Sequence, residues 1–228
     1  MADESIKVSI AVPTAGTVPM SFAFSLSALV GYTAANRVPS MPGAEAELQI
    51  NVVESSNWIT NREQLARHAI EGGYTHMLFL DDDMTFHPSI LSTLLGRRQP
   101  IVVTNYLIKT DTPEFVAVDL AGNRIPTTEQ STGLQPIAYS GFGASLFEVD
   151  VFKRTAQPWF IPDFDPAQSS YTTEDNPFFR RAREAGFKVL LDHDASKLLG
   201  HVGRRAWRWQ EWRPSAQVLP MKKETAHG

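Results

Sequence analysis

The chain has 228 residues, 43% of them hydrophobic and 20% charged, with no cysteine and a formal net charge of -4. That length suits one large domain rather than two. The lack of cysteine excludes a disulfide framework and any thiolate metal site, so a metal would need carboxylate and imidazole ligands. The acidic balance excludes the broadly cationic surface of general nucleic-acid binders and leaves only a local patch for such a partner.

Residues 1–5 are acidic, lack the regions of a secretory signal and lead into the first strand. No apolar run approaches the roughly 20 residues needed to span a bilayer. A cytoplasmic protein without a membrane span is the expectation.

Residues 7–13 (KVSIAVP) read as a strand ending at a turn with Gly16 and Pro19, and residues 21–35 as a helix. Residues 47–54 (ELQINVVE) form a second strand. The spacing from Thr60 to Glu63 matches a capping box, so a helix is expected from Thr60 to Gly72–Gly73. Residues 75–80 (THMLFL) are a buried strand that stops at Asp81, Asp82 and Asp83. His87–Pro88 opens another helix, which ends near Gly96, and residues 101–105 make the next strand. This alternation predicts an α/β fold with a parallel sheet and helices on both faces.

The second half is less regular. Residues 114–132 hold short β-like pieces, 141–148 a Gly-bearing strand and 149–155 a short helix. Residues 159–170, rich in Pro and Asp, read as a loop over the site. A helix is expected over 173–185, ended by Gly186, then a strand at 188–192, with residues 198–203 following. Residues 204–213 form an Arg/Trp-rich tail, and residues 221–228 carry no pattern of order.

Ligands in open α/β sheets bind beyond the carboxyl ends of strands. The apolar run Met77–Leu80 delivers three aspartates to such an end. Neighbouring carboxylates repel one another unless a cation compensates. Oxygen ligands of this kind suit Mg²⁺ or Mn²⁺, which commonly bridge one or two carboxylates to phosphates. A solvated acidic turn capping the next helix is the competing explanation.

The stretch Phe79–Met84 (FLDDDM) resembles the D-x-D element of GT-A fold glycosyltransferases, close to the family-2 type. Further segments follow in that family's order. Residues 8–14 resemble its first strand, Asn61–Arg62 its basic helix start, and Gly141–Ala144 its Gly-rich stretch. Thr173–Asn176 with the following helix resembles its E-D motif, and His201 stands where some members carry a third metal ligand.

The resemblance covers most of residues 7–203. It implies a single Rossmann-like GT-A domain over residues 1–220, with a mixed, mostly parallel central sheet flanked by helices. Residues 6–105 would bind the nucleotide-sugar donor (UDP- or another NDP-sugar), and 106–203 the acceptor.

The same resemblance implies a role for each residue. Asp83 would be the metal ligand, and Asp81 would contact the donor ribose or the metal shell. Asp82 would support the donor loop, and His201, ahead of its neighbour His193, would complete the shell of Mn²⁺ or Mg²⁺. Pro13, Thr14 and Ala15 would line the base pocket, and Arg62 would contact base or phosphates. Gly141, Phe142 and Gly143 would face the substrate. Asp175 would be the general base, with Glu174 orienting the acceptor. Acidic residues in a first helical turn also simply complement the helix dipole.

Three readings compete for the tail. Trp207 and its neighbours stack on sugar, or the basic and aromatic residues bind single-stranded or flipped-base DNA, or the segment packs on the domain. A glycan acceptor and a hydroxylated DNA base therefore both stay open. A nucleotidyltransferase, or a non-catalytic nucleotide-sugar-binding protein, is the alternative of another class. The loop at residues 15–19 has one glycine and no basic residue, which disfavours the nucleotidyltransferase.

Overall fold

The computed structural model describes residues 6–36, 46–110, 112–203 and 206–212, apart from the side chains of Ala206, Trp207 and Glu211. The front half runs β1 (Ile6–Thr14), α1 (Met20–Ala35), β2 (Ala46–Glu54), α2 (Trp58–Glu71), β3 (His76–Leu80), β4 (Met84–Phe86), α3 (Ile90–Leu95) and β5 (Ile101–Val103). The back half adds β6 (Leu134–Pro136), β7 (Ala144–Glu148), α4 (Asp150–Arg154), β8 (Phe164–Asp165) and β9 (Ser170–Tyr171). It continues with α5 (Asp175–Glu184), β10 (Leu190–Asp192), α6 (His193–Ser196), β11 (Leu199–Val202) and β12 (Ala206–Trp207).

The seven-stranded sheet has the order β2-β1-β3-β7-β5-β10-β6. β2, β1, β3, β5 and β10 share one direction, while β7 and β6 run against it. The sheet is mixed and mostly parallel, with helices on both faces. The strand at residues 101–105 runs parallel to β3 but is not its neighbour. The Gly-bearing segment enters between them, because Ala144, Ser145, Leu146 and Phe147 are all buried and need partners on both edges. A second, three-stranded antiparallel sheet joins β12, β11 and β4.

Side chains alternate across the large sheet with the period of two that strands impose. Met77 and Phe79 face one core with Leu65 of α2 and with Phe178 and Phe179 of α5. Leu78 and Leu80 face the other with Phe22 and Leu29 of α1 and Leu91 and Leu94 of α3. The first core is an aromatic cluster in which Phe79, Phe142, Phe147 and Phe178 meet at centroid distances of 5.4–6.1 Å.

α2 begins earlier than its capping-box spacing predicts. Asn57 is the N-cap, accepting the Thr60 N–H at 3.1 Å, as asparagine commonly does. Glu63, freed from that role, accepts the N–H of Phe160 at 2.9 Å.

The expected loop over residues 159–170 is also corrected at its start. Trp159 and Phe160 are buried, and the Trp159 indole N–H is shared between the carbonyls of Phe152 and Thr155. Only the following β8–β9 hairpin reaches outward. Among the described residues no helix is long and apolar enough to cross a membrane.

Candidate functional site

β3 is buried from Met77 to Leu80 and ends in the aspartate triplet, at the end of the sheet where the loops after β1 and β2 and the start of α5 also arrive. The three carboxylates diverge from there. Asp82 turns back and is hydrogen-bonded by the Thr14 hydroxyl and the Ala15 N–H, so it braces the loop after β1. Burial pushes its pKa up, against those hydrogen bonds. Thr14 is further fixed through its carbonyl, which accepts from Asn61 Nδ2 and the Ser55 N–H.

Asp81 takes a direction the sequence reading did not foresee. Its Oδ1 accepts from Arg62 Nη2 at 2.7 Å, and Arg62 Nε reaches Glu174 Oε1 at 3.2 Å. Arg62 is 4% exposed and lies over the rings of Phe142 and Phe79, 4.8 and 5.4 Å from their centroids. A buried guanidinium needs countercharge, and the two carboxylates supply it. Asp81, expected at the donor ribose or the metal shell, is here the ion-pair partner of Arg62. Arg62, expected to contact base or phosphates, ties β3 to the start of α5.

Asp83 points to the other side, towards the small sheet. Its Oδ2 lies 3.3 Å from His201 Nε2 and also pairs with the Lys109 ammonium. His201 gives its other ring nitrogen, Nδ1, to the carbonyl of Leu107 at 2.8 Å. That contact leaves Nε2 facing the carboxylate. The backbone closes the same corner, since the Val202 N–H donates to the Asp83 carbonyl at 2.6 Å.

Burial alone would raise the pKa of Asp83. Hydrogen bonds and charge from His201 and Lys109 outweigh it and hold the group at about 2. His193 is elsewhere, between Thr127 and Gln135. Among the described residues no group of three or more His, Asp or Glu side chains is arranged to hold a metal.

At the N-terminus of α5, Asp175 accepts from the Thr173 hydroxyl and from the Asn176 N–H. Burial pushes its pKa up, with the Glu174 carboxylate adding to the rise. Tyr106 stands between the two sides of the site. Its ring meets His201 edge-on at 5.1 Å, and its hydroxyl feels the charges of Asp81 and Asp175.

Tyr106 also packs against the glycine stretch. Gly141, Phe142 and Gly143 are buried, and a Cβ at either glycine would fall within 2.1 or 2.6 Å of the Tyr106 side chain. The Gly143 N–H donates to the Tyr106 hydroxyl at 3.2 Å. The Tyr106 side chain approaches this backbone closely, and Phe142 belongs to the aromatic core.

Pro13 and Thr14 close β1 and are buried, while Ala15 is exposed beyond them. The backbone of Trp207 pairs with His201 in the small sheet, but its side chain lies outside the described part. Arg204, Arg205, Arg213 and residues 221–228 are likewise outside the described residues.

Sequence reading missed Tyr106 and Lys109. The close glycine pair was the one signal for a bulky neighbour. Lys109, a single base in a mixed loop, offered none.

No protein-family model matches the chain, and no curated protein sequence does either. Solved structures do match by shape. The structure titled A197 from STIV superposes with a TM-score of 0.57 at 16% identity, covering 90% of this chain and 91% of that one. GalNAc-T7, solved with UDP, GalNAc and Mn²⁺, gives 0.51 at 12% identity, covering 94% of this chain and 46% of that chain. At these identities the likeness is one of fold: the chain has the GT-A fold, and it spans about half the length of GalNAc-T7.

Proposed function

We propose that this GT-A fold serves a glycosyltransferase that moves a sugar from a nucleoside-diphosphate sugar onto an acceptor hydroxyl. Asp83 and His201 would hold a divalent cation, Mn²⁺ or Mg²⁺, and Asp175 would act as the general base. The observation that carries the reading is the meeting of Asp83, between β3 and β4, with His201 of β11, 3.3 Å apart, at the strand end that also receives Glu174 and Asp175.

The donor set fits such an ion. His201 commits Nδ1 to a carbonyl and so can present the Nε2 lone pair, an arrangement usual for metal-binding imidazoles. Asp83 is held ionised, and the Lys109 ammonium already places a positive charge on its Oδ2. Two protein ligands suffice where phosphates and water provide the others. A bound cation would supply Lewis-acid stabilisation of the departing diphosphate.

The remaining roles belong to the chain's own side chains. Asp82 fixes the loop of Pro13, Thr14 and Ala15, which would border the nucleotide base. Arg62 is a positioning residue: it sets Glu174, and through it the start of α5, against the end of β3. Asp175 would take the acceptor's proton, and its raised pKa makes it a stronger base than an ordinary aspartate. Residues 6–105 would thus serve the donor and 106–203 the acceptor.

UDP is a suitable probe because GalNAc-T7 was solved with it. Calorimetry should find UDP binding that depends on Mn²⁺ and is lost in Asp83→Ala with the fold retained; unchanged affinity removes the metal assignment. Asp175→Asn should keep UDP binding and lower turnover of the donor sugar by about 10²-fold or more. Near-normal turnover removes its role as base. Release of pyrophosphate from a nucleoside triphosphate would instead indicate nucleotidyl transfer.

A further inference from the structure

A pocket of about 290 Å³ opens beside Asp175, between the β8–β9 hairpin and the first turn of α5. Its size falls just under the ~300–1,000 Å³ usual for ligand sites. Two of its lining residues touch the carboxylate of Asp175 directly: Thr173 through its hydroxyl and Asn176 through its N–H at 2.7 Å. Asp175 is not itself in the wall, but a molecule held here would lie one residue away from its carboxylate, against Thr173 and Asn176.

The lining has a specific chemistry. Tyr139 and Tyr171 contribute rings, Gln168 and Asn176 amides, Thr173 a hydroxyl and Asp165 a carboxylate. No lysine or arginine is among the residues that line it. Arg180, on the same helix, is engaged by Asp163 at 3.0 Å and Glu184 at 2.9 Å. Tyr171 is 72% exposed although it is a large ring, and Phe164 braces it edge-on across the hairpin at 5.2 Å.

We infer that this pocket is the acceptor subsite and takes a neutral saccharide, an inference that rests on the reading of Asp175 as base. A sugar ring offers an apolar C–H face for a tyrosine and a rim of hydroxyls that both donate and accept. Amides, hydroxyls and a carboxylate can satisfy all of these. A nucleic-acid strand needs cations along its phosphates, and here it would meet Asp165 with no cation in the wall.

In the transfer, the saccharide's hydroxyl oxygen bonds to the anomeric carbon of the donor sugar. The bond from that carbon to the diphosphate oxygen breaks and its electron pair leaves with the diphosphate. The hydroxyl proton passes to Asp175.

Saturation-transfer NMR on the full chain, with methyl glycosides of the common hexoses and N-acetylhexosamines, tests the assignment against a single-stranded DNA oligonucleotide. UDP affinity with Mn²⁺ is measured in parallel on the same samples. At least one glycoside should bind. Tyr171→Ala and Gln168→Ala, both at the pocket wall, should each weaken it by about tenfold, the scale of one lost ring or polar contact. UDP affinity should stay unchanged.

The inference is overturned if no glycoside binds, if binding survives intact in both variants, or if the oligonucleotide binds and is lost with Tyr171→Ala. Failure of the wild-type protein to bind UDP would instead strike the donor reading, and the glycoside signals would still decide the pocket.

Discussion

At Asp83 the local charges set a pH dependence with a definite sign. Its pKa in the folded, metal-free protein is about 2, against 3.8 for an ordinary aspartate. A depressed folded-state value stabilises the protein fully above the unfolded pKa, and the gain is lost as pH falls through the folded one. The loss therefore runs from about pH 4 to about pH 2, and with the carboxylate 29% exposed it amounts to about 1–2 kcal/mol. Urea unfolding should show wild type more stable than Asp83→Asn at neutral pH, with the gap closing in acid. A gap independent of pH contradicts this.

Asp175 is shifted the other way, so transfer should fail on the acid side at a pH above that of an ordinary aspartate. A kcat profile flat down to about pH 4 would deny it that role. Arg62 is the third sensitive residue. Arg62→Met strands Asp81 and Glu174 without their partner and should cost about 3 kcal/mol, measured by denaturant unfolding.

At the level of elements, the aromatic core behind the site supports its ion pair. Phe142 packs on Phe79, Phe178 and Phe179 and carries the Arg62 guanidinium on its face. Phe142→Ala should destabilise by about 3–5 kcal/mol and weaken donor binding as well. A variant that loses stability with donor affinity intact would separate the core from the site.

The longer elements were legible because their patterns are local. A β-rich stretch marked β1 and a continuous apolar run β3, and α5 ends where Gly186 adopts a φ of +93°. β4, β6 and α6 are three or four residues long, too short for any period to register. The insertion of β7 between β3 and β5 is a pairing of distant segments, which no local window contains. The same limit explains the site. The aspartate triplet and His201 stand out as residue types, but the pairing of Asp81 with Arg62, the packing of Tyr106 into Gly141 and Gly143, and the reach of Lys109 to Asp83 all arise from tertiary contacts.

For the molecule as a whole, the proposed cation lies at the junction of the two sheets. Asp83 stands between β3 of the large sheet and β4 of the small one, and β4 pairs with β11, which carries His201. A ligand bound there should raise the unfolding temperature, since binding to the folded state adds about 2.7 kcal/mol at a hundred times Kd. Mn²⁺ with UDP should exceed the effect of either alone.

The most direct measurement is anomalous diffraction from crystals grown with Mn²⁺ and UDP. The account predicts a manganese peak bonded to Asp83 Oδ2 and His201 Nε2, with Lys109 displaced and Arg62 still on Asp81. A peak away from both ligands, or UDP bound while Lys109 keeps its place on Asp83, would contradict it.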